Sequence, residues 1–303
     1  MNFSIRKTTV TQKIPDDWRQ LSELSAKRVH EAFKEANVDV VLAADETFIR
    51  FHETCGFVIG PTGEKRIGAA AQIDDKAGCT VLLTMDMTAS RLLAPMVIFT
   101  GFFGATLMKK WQLYTDSLVM FTEKHWMTAE TFILYIAWLM DHFKGKWIGL
   151  IIDYAPSHCN AKMNKWINQL NEKHAANDTK IFIKWIDKGL TSMYQPGDIA
   201  INKPLKDKIR ESYHQYVSVI ASENFEAGQK IKVSCETLLG FIEKAFGSIN
   251  QDQKRSKSIY KSFCMCGLNP WDDQLEHFTQ HLDSLEQNKL YATLLQNQEA
   301  LQL

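Results

Sequence analysis

The chain has 303 residues, 45% of them hydrophobic, enough for one large domain or a domain with appendages. Its 35 basic and 35 acidic residues balance, so any polyanion partner must be met by a local patch rather than by whole-chain charge. Six Cys without a C-x-x-C pair and the lack of a secretory signal point to a reducing intracellular compartment, and no uninterrupted apolar run reaches bilayer-spanning length.

In chain order, residues 1–36 read as a lead-in. Pro15 precedes a helix from Asp16 to Lys34, with Trp18, Leu21, Leu24, Val29 and Phe33 as its apolar stripe. Val38–Ala44 is an apolar strand ending on Asp45, with Glu46 next. Arg66–Ile73 and Cys79–Met85 read as two strands joined by a turn over residues 74–78. Pro95–Phe99 is another short strand, and residues 102–128 read as irregular. Thr128 or Thr131 caps a helix with Phe132, Tyr135, Ile136, Leu139, Met140 and Phe143 at helical spacing, closed by Gly145.

Ile148–Asp153 is an aliphatic run of the kind covered on both faces, with an acid at its carboxyl end and Pro156 three residues on. A helix from about Asn160 to His174 follows, then a strand, Lys180–Ile186. A loop from Gly189 ends on Asp198 and leads into a helix from Ile199 to about Ala221. The remainder is helical: Cys235–Phe246, Ser256–Cys264 and Asp272–Leu303, with a break at Asn269-Pro270.

Asp45, Asp153 and Asp198 share one context, each beside a strand end or a loop entering a helix. An open α/β sheet places its ligands at the carboxyl ends of its strands. An ionised carboxylate there, unpaired, is costly. Three oxygen ligands with open positions suit Mg²⁺ or Mn²⁺, and two such ions about 3.5–4 Å apart drive in-line phosphoryl displacement. The element order, three antiparallel-type strands followed by alternating helices and strands, is that of a ribonuclease-H-like mixed sheet flanked by helices, here with a helical C-terminal extension. The division is a lead-in over 1–36, a catalytic domain over 37–225 and the extension over 226–303.

Asp45-Glu46-Thr47, Pro95–Phe99, Trp126-Met127-Thr128, Asp153-Tyr-Ala-Pro-Ser-His158 and Leu190-Thr-Ser-Met-Tyr-Gln-Pro-Gly-Asp198 follow one another in a fixed order. Lys203-Pro-Leu-Lys206 and Phe263-Cys-Met-Cys-Gly267-Leu268 continue it. In these motifs the chain resembles the DDE superfamily endonuclease domain of pogo, Tigger and jerky-type transposases, in the mariner-like group. The resemblance covers residues 8–270. It implies Mg²⁺- or Mn²⁺-dependent cleavage and strand transfer of DNA by two ions, with Asp45, Asp153 and Asp198 as the catalytic and metal-binding triad. It implies transposon ends and target DNA as partners, a homodimer as an assembly to test, no membrane, and a nuclear location. The helix-turn-helix region such transposases carry upstream is not in this chain. The second and third acids stand 45 positions apart (198 − 153), more than is usual in mariner-type relatives. The expectation places the extra residues in a loop over Asn171–Thr179. The competing reading is a domesticated or decayed copy that binds DNA or a protein without cutting; a ribonuclease-H-like RNA hydrolase is a third.

Around the triad, His158 is a candidate to orient water or contact phosphate, the alternative being a bond to the loop backbone. Lys203, Lys206 and Arg210 lie at i, i+3 and i+7 and are candidates for phosphate contact, against a merely solvated face. Glu46 is expected to face away from Asp45, because neighbours on a strand alternate. Cys264, Cys266, His277 and His281 fit zinc poorly, since C-x-C is too short a spacing. Most Trp residues read as core, while those within 102–128 are candidates to stack on an unpaired base.

Overall fold

The computed structural model describes residues 17–51, 77–102, 115–155, 161–187, 190, 194–222 and 233–300. Among the described residues, seven strands form one sheet: β1 (Val40–Arg50), β2 (Gly78–Asp86), β3 (Arg91–Leu92), β4 (Met96–Thr100), β5 (Leu118–Thr122), β6 (Trp147–Asp153) and β7 (Lys180–Ile186). The order across the sheet is β5-β4-β2-β1-β6-β7, with β3 paired to β2. β1 runs antiparallel to β2 and parallel to β6, β2 is antiparallel to β4, and β6 is parallel to β7. The path β4-β2-β1-β6-β7 is the mixed order of the ribonuclease-H-like fold, and β5 extends it as a parallel edge strand.

The pleat sends alternate residues to two cores. Val41, Ala43, Leu83 and Ile151 face one, and Val40, Leu42, Ala44, Leu82 and Leu150 face the other. The second core is covered by α2 (Ala129–His142) and α3 (Ala161–His174). The first is covered by α1 (Trp18–Glu35), α5 (Asn202–Ser222), α6 (Cys235–Gln251), α7 (Gln253–Met265) and the start of α8 (Glu276–Ala300). A short helix, α4 (Pro196–Ala200), lies just before α5. The lead-in helix and the C-terminal helices thus share one core with the sheet.

Local details explain where elements sit. In α2, Thr128 and Thr131 both act: Thr128 Oγ1 accepts from the Thr131 amide, and Thr131 Oγ1 accepts from the Thr128 amide, a capping box. The α1 stripe is Trp18, Ser22, Ser25, Ala26, Val29 and Phe33, with Leu24 turned to solvent at 49% exposure. Position 24 falls outside the arc that residues 18, 22, 25, 29 and 33 sweep at 100° per residue. Phe33 lies flat against Gly149, where a Cβ would meet its ring at 2.8 Å. The Phe263–Leu268 motif is a helix stop. Gly267, at φ +64°, lets Leu268 N–H donate to Phe263 O and Gly267 N–H to Cys264 O, a Schellman closure that Gly allows without strain.

Further sequence expectations change. Asp45 does not end its strand; β1 continues to Arg50 because its pairing with β2 outlasts its pairing with β6. The 102–128 stretch contains β5, whose short Leu-Val-Met-Phe run pairs with β4. Residues 171–179 are not a loop throughout: Asn171 belongs to α3, and its amide bonds both N–H and C=O of Ile181, closing the free edge of β7. The expected strand over 66–73 lies outside the described residues. Among the described residues, no helix is long and apolar enough to cross a membrane.

Candidate metal centre

Asp45 and Asp153 arrive by strand register. The last parallel pair between β1 and β6 is Ala43 with Ile151; one pleat further on, the two chains reach Asp45 and Asp153. Both residues therefore share the face of Ala43 and Ile151, toward α4. Glu46, offset by one, follows Ala44 and Leu82 to the other face.

Asp198 arrives on α4. The helix is begun by Pro196 at its first position, with Gln195 as cap residue. Buried Pro196 and Gly197 seat it on β1, and Tyr194 packs edge-on against Phe278 of α8. Gly197 is needed at this contact: a Cβ there would lie 3.1 Å from Asp45 Oδ2, 3.3 Å from Asp45 Cβ and 3.5 Å from Asn202 Oδ1.

One side chain links the acids. Asn202 Nδ2 donates to Asp45 Oδ2 at 2.6 Å and to Asp198 Oδ1 at 2.7 Å. Those two oxygens are therefore no further apart than the sum of the two distances. Asn202 Oδ1 is buried without a hydrogen-bond partner, as are both amide atoms of Gln195, a residue 1% exposed. The Gln195 amide still favours the ionised form of Asp45, from outside strict hydrogen-bond geometry.

Burial pushes the Asp45 carboxyl up from 3.8 to about 7. The Asn202 bond opposes this rise, the negative charges of Asp198 and then Asp153 add to it, and Gln195 opposes it. Asp45 thus senses both other acids. The partly buried Asp153 closes β6, and Asp198 is exposed.

The carboxylates of Asp45 and Asp198, which meet on Asn202, offer hard oxygens, the chemistry Mg²⁺ and Mn²⁺ take. The side chains do not form a finished cage: among the described residues, no three His, Cys, Asp or Glu side chains are grouped closely enough to hold an ion. This applies equally to Cys264, Cys266, His277 and His281; Cys266 is instead fully buried in the first core.

The other candidates separate. His158 and Trp111 lie outside the described residues. Lys203 and Arg210 fall on the side of α5 away from buried Leu205, Ile209 and Ser212, and the partly buried Lys206 flanks it. Lys203 is exposed, whereas Arg210 is tied to Asp207 at 2.8 Å. Trp126 is 65% exposed. Trp138, Trp166 and Trp185 are partly buried against the second core. Sequence reading missed Asn202, Gln195 and Gly197 as site residues. The Asp198–Asn202 spacing of i, i+4 at a helix start was the signal that pointed to Asn202.

Comparison with solved structures returns the Mos1 mariner transposase. Its paired-end complex with left transposon end gives a TM-score of 0.48 at 12% identity, over 88% of this chain and 66% of that one. Its pre-cleavage transpososome gives 0.46 at 10% identity, over 93% and 67%. Its isolated catalytic domain gives 0.42 at 12% identity, over 86% and 93%. The chain thus spans about two thirds of the first two. No curated protein matches the sequence. A family model described as DDE superfamily endonuclease matches residues 76–258, a span that holds Asp153 and Asp198 but not Asp45. With more than half of its length inside that match, the chain belongs to the DDE superfamily endonuclease family.

Proposed function

We propose that the protein is the catalytic domain of a DDE-type transposase, a DNA endonuclease and strand transferase dependent on Mg²⁺ or Mn²⁺. Asp45, Asp153 and Asp198 would hold the two ions once their carboxylates draw in around them. The reaction is hydrolysis of a phosphodiester, followed by attack of the freed 3′-hydroxyl on target DNA. The observation that carries this reading is the meeting of Asp45 and Asp198 on one amide, beside Asp153, at the β1–β6 strand pair.

Bound divalent ions supply an activated oxygen nucleophile and stabilise the leaving oxygen. The chain's own part is to hold and orient. Asp45 is crowded by two like charges and by burial, so its ionised form is stabilised most by a cation. Asp153, at the end of β6, stands one pleat past the last pair between β1 and β6 and faces the same way. Asp198, on the exposed rim, completes the oxygen set. Lys203, on the outer side of α5, offers a charge to a DNA phosphate next to the site.

The test is Asp153→Asn in the full chain. Nicking of a supercoiled plasmid in Mg²⁺ or Mn²⁺ is expected to disappear while the circular dichroism spectrum and melting temperature hold. Equal nicking by parent and variant overturns the mechanism.

A further inference from the structure

We propose that Asn202 is a ligand of the divalent cation held by Asp45 and Asp198: its amide nitrogen stands in for the cation when none is bound, and its amide turns to present Oδ1 when one enters. This rests on the reading of those two aspartates as metal ligands.

The arrangement around Asn202 has the form of a cation site with a neutral donor at its centre. A single N–H₂ group lies between two carboxylate oxygens at 2.6 and 2.7 Å, where a positive centre belongs. It offsets part of the repulsion between two acids that lie 153 positions apart in the chain (198 − 45). The other end of the same amide is worse placed. Asn202 Oδ1 is buried with no donor to satisfy it, and a buried carbonyl without a partner is destabilising.

A cation reverses both conditions. It takes over the two carboxylate oxygens, so the N–H₂ group loses its acceptors, and it gives an orphaned oxygen a partner. An amide exchanges its two ends by rotation about one side-chain bond, with no backbone movement. Gly197 lets the backbone come close to both groups: the Cβ it lacks would stand 3.1 Å from Asp45 Oδ2 and 3.5 Å from Asn202 Oδ1. A neutral amide oxygen beside two carboxylates is a donor set that hard divalent cations accept.

The test is Mn²⁺ binding to the full chain, read by calorimetry, with no nuclease step. Asn202→Ala is expected to weaken binding by about 10-fold or more. Asn202→Asp, which keeps an oxygen at that place, is expected to bind at least as tightly as the parent. Binding of equal strength by parent and Asn202→Ala overturns the proposal and leaves the carboxylate reading standing. A parent that binds no Mn²⁺ removes both. A second readout needs only the folded parent: the side-chain N–H₂ signals of Asn202, assigned by their loss in Asn202→Asp, are expected to move upfield as Mg²⁺ is titrated and the carboxylate hydrogen bonds break. Signals unmoved at saturating Mg²⁺ overturn it equally.

Discussion

Gly197 and Asp45 meet so closely that any side chain at position 197 would press on the carboxylate: its Cβ would lie 3.1 Å from Asp45 Oδ2. That distance is tight but yields to a shift of a few tenths of an ångström. Gly197→Ala is therefore expected to fold, at a cost of about 1 kcal/mol. It is expected to displace the carboxylate and lower Mg²⁺-dependent nicking about 10-fold or more, since small displacements in a phosphoryl-transfer site are felt strongly. Calorimetric metal affinity and a nicking assay on the same preparation check it; an alanine variant with parental rates would refute it.

The pH dependence of stability follows from Asp45. Its carboxyl is raised in the folded, metal-free protein from 3.8 to about 7. A raised acid favours the folded state fully below its unfolded value, and that contribution is lost as pH climbs through the folded value. Stability in chelator should therefore fall between about pH 4 and pH 7, by at most about 4 kcal/mol and by less where water reaches the group. Asp45→Asn should flatten that part of the profile. Urea melts at pH 5 and pH 8, for parent and variant, give the comparison.

Lys203 and Lys206 are the candidates for phosphate contact on α5, while Arg210 is already engaged by Asp207. Replacing each lysine by Glu should weaken binding to DNA of any sequence. The slope of log affinity against log salt should shrink by about 1 for each lost contact. Arg210→Ala should change that slope least. Fluorescence anisotropy across a salt series tests all three, and identical slopes would assign the lysines to a solvated face.

Gly149 supplies a control remote from the chemistry. A Cβ there would meet the Phe33 ring at 2.8 Å, deep between α1 and β6. Gly149→Ala should cost about 1–3 kcal/mol through overpacking. Metal affinity of the protein that remains folded should stay parental.

Much of this molecule was written in its local pattern. The aliphatic runs at Val38–Ala44 and Ile148–Ile152 read as strands covered on both faces, and an acid at the end of such a run stands out because burial does not favour it. Thr128 and Thr131 advertised a helix start, and the order of short motifs placed the chain in its family. Elements whose identity depends on a neighbour were not legible. Leu118–Thr122 becomes a strand only because β4 offers it an edge, and Asp45 sits within β1 because β2 keeps pairing after β6 has stopped.

The sequence by itself determined which residue types were available: three aspartates, each following an apolar run or entering a helix, and the periodicities that make a mixed sheet with helices on both faces. Only the tertiary structure decided how those acids meet. Parallel register sets Asp45 and Asp153 on one face, the absence of a side chain at Gly197 lets α4 close on β1, and Asn202 joins Asp45 to Asp198 through one nitrogen. Such contacts depend on atoms brought within 3 Å across more than 150 positions of chain. Local periodicity carries no information at that range, because it reports which face a residue is on and not what that face will touch.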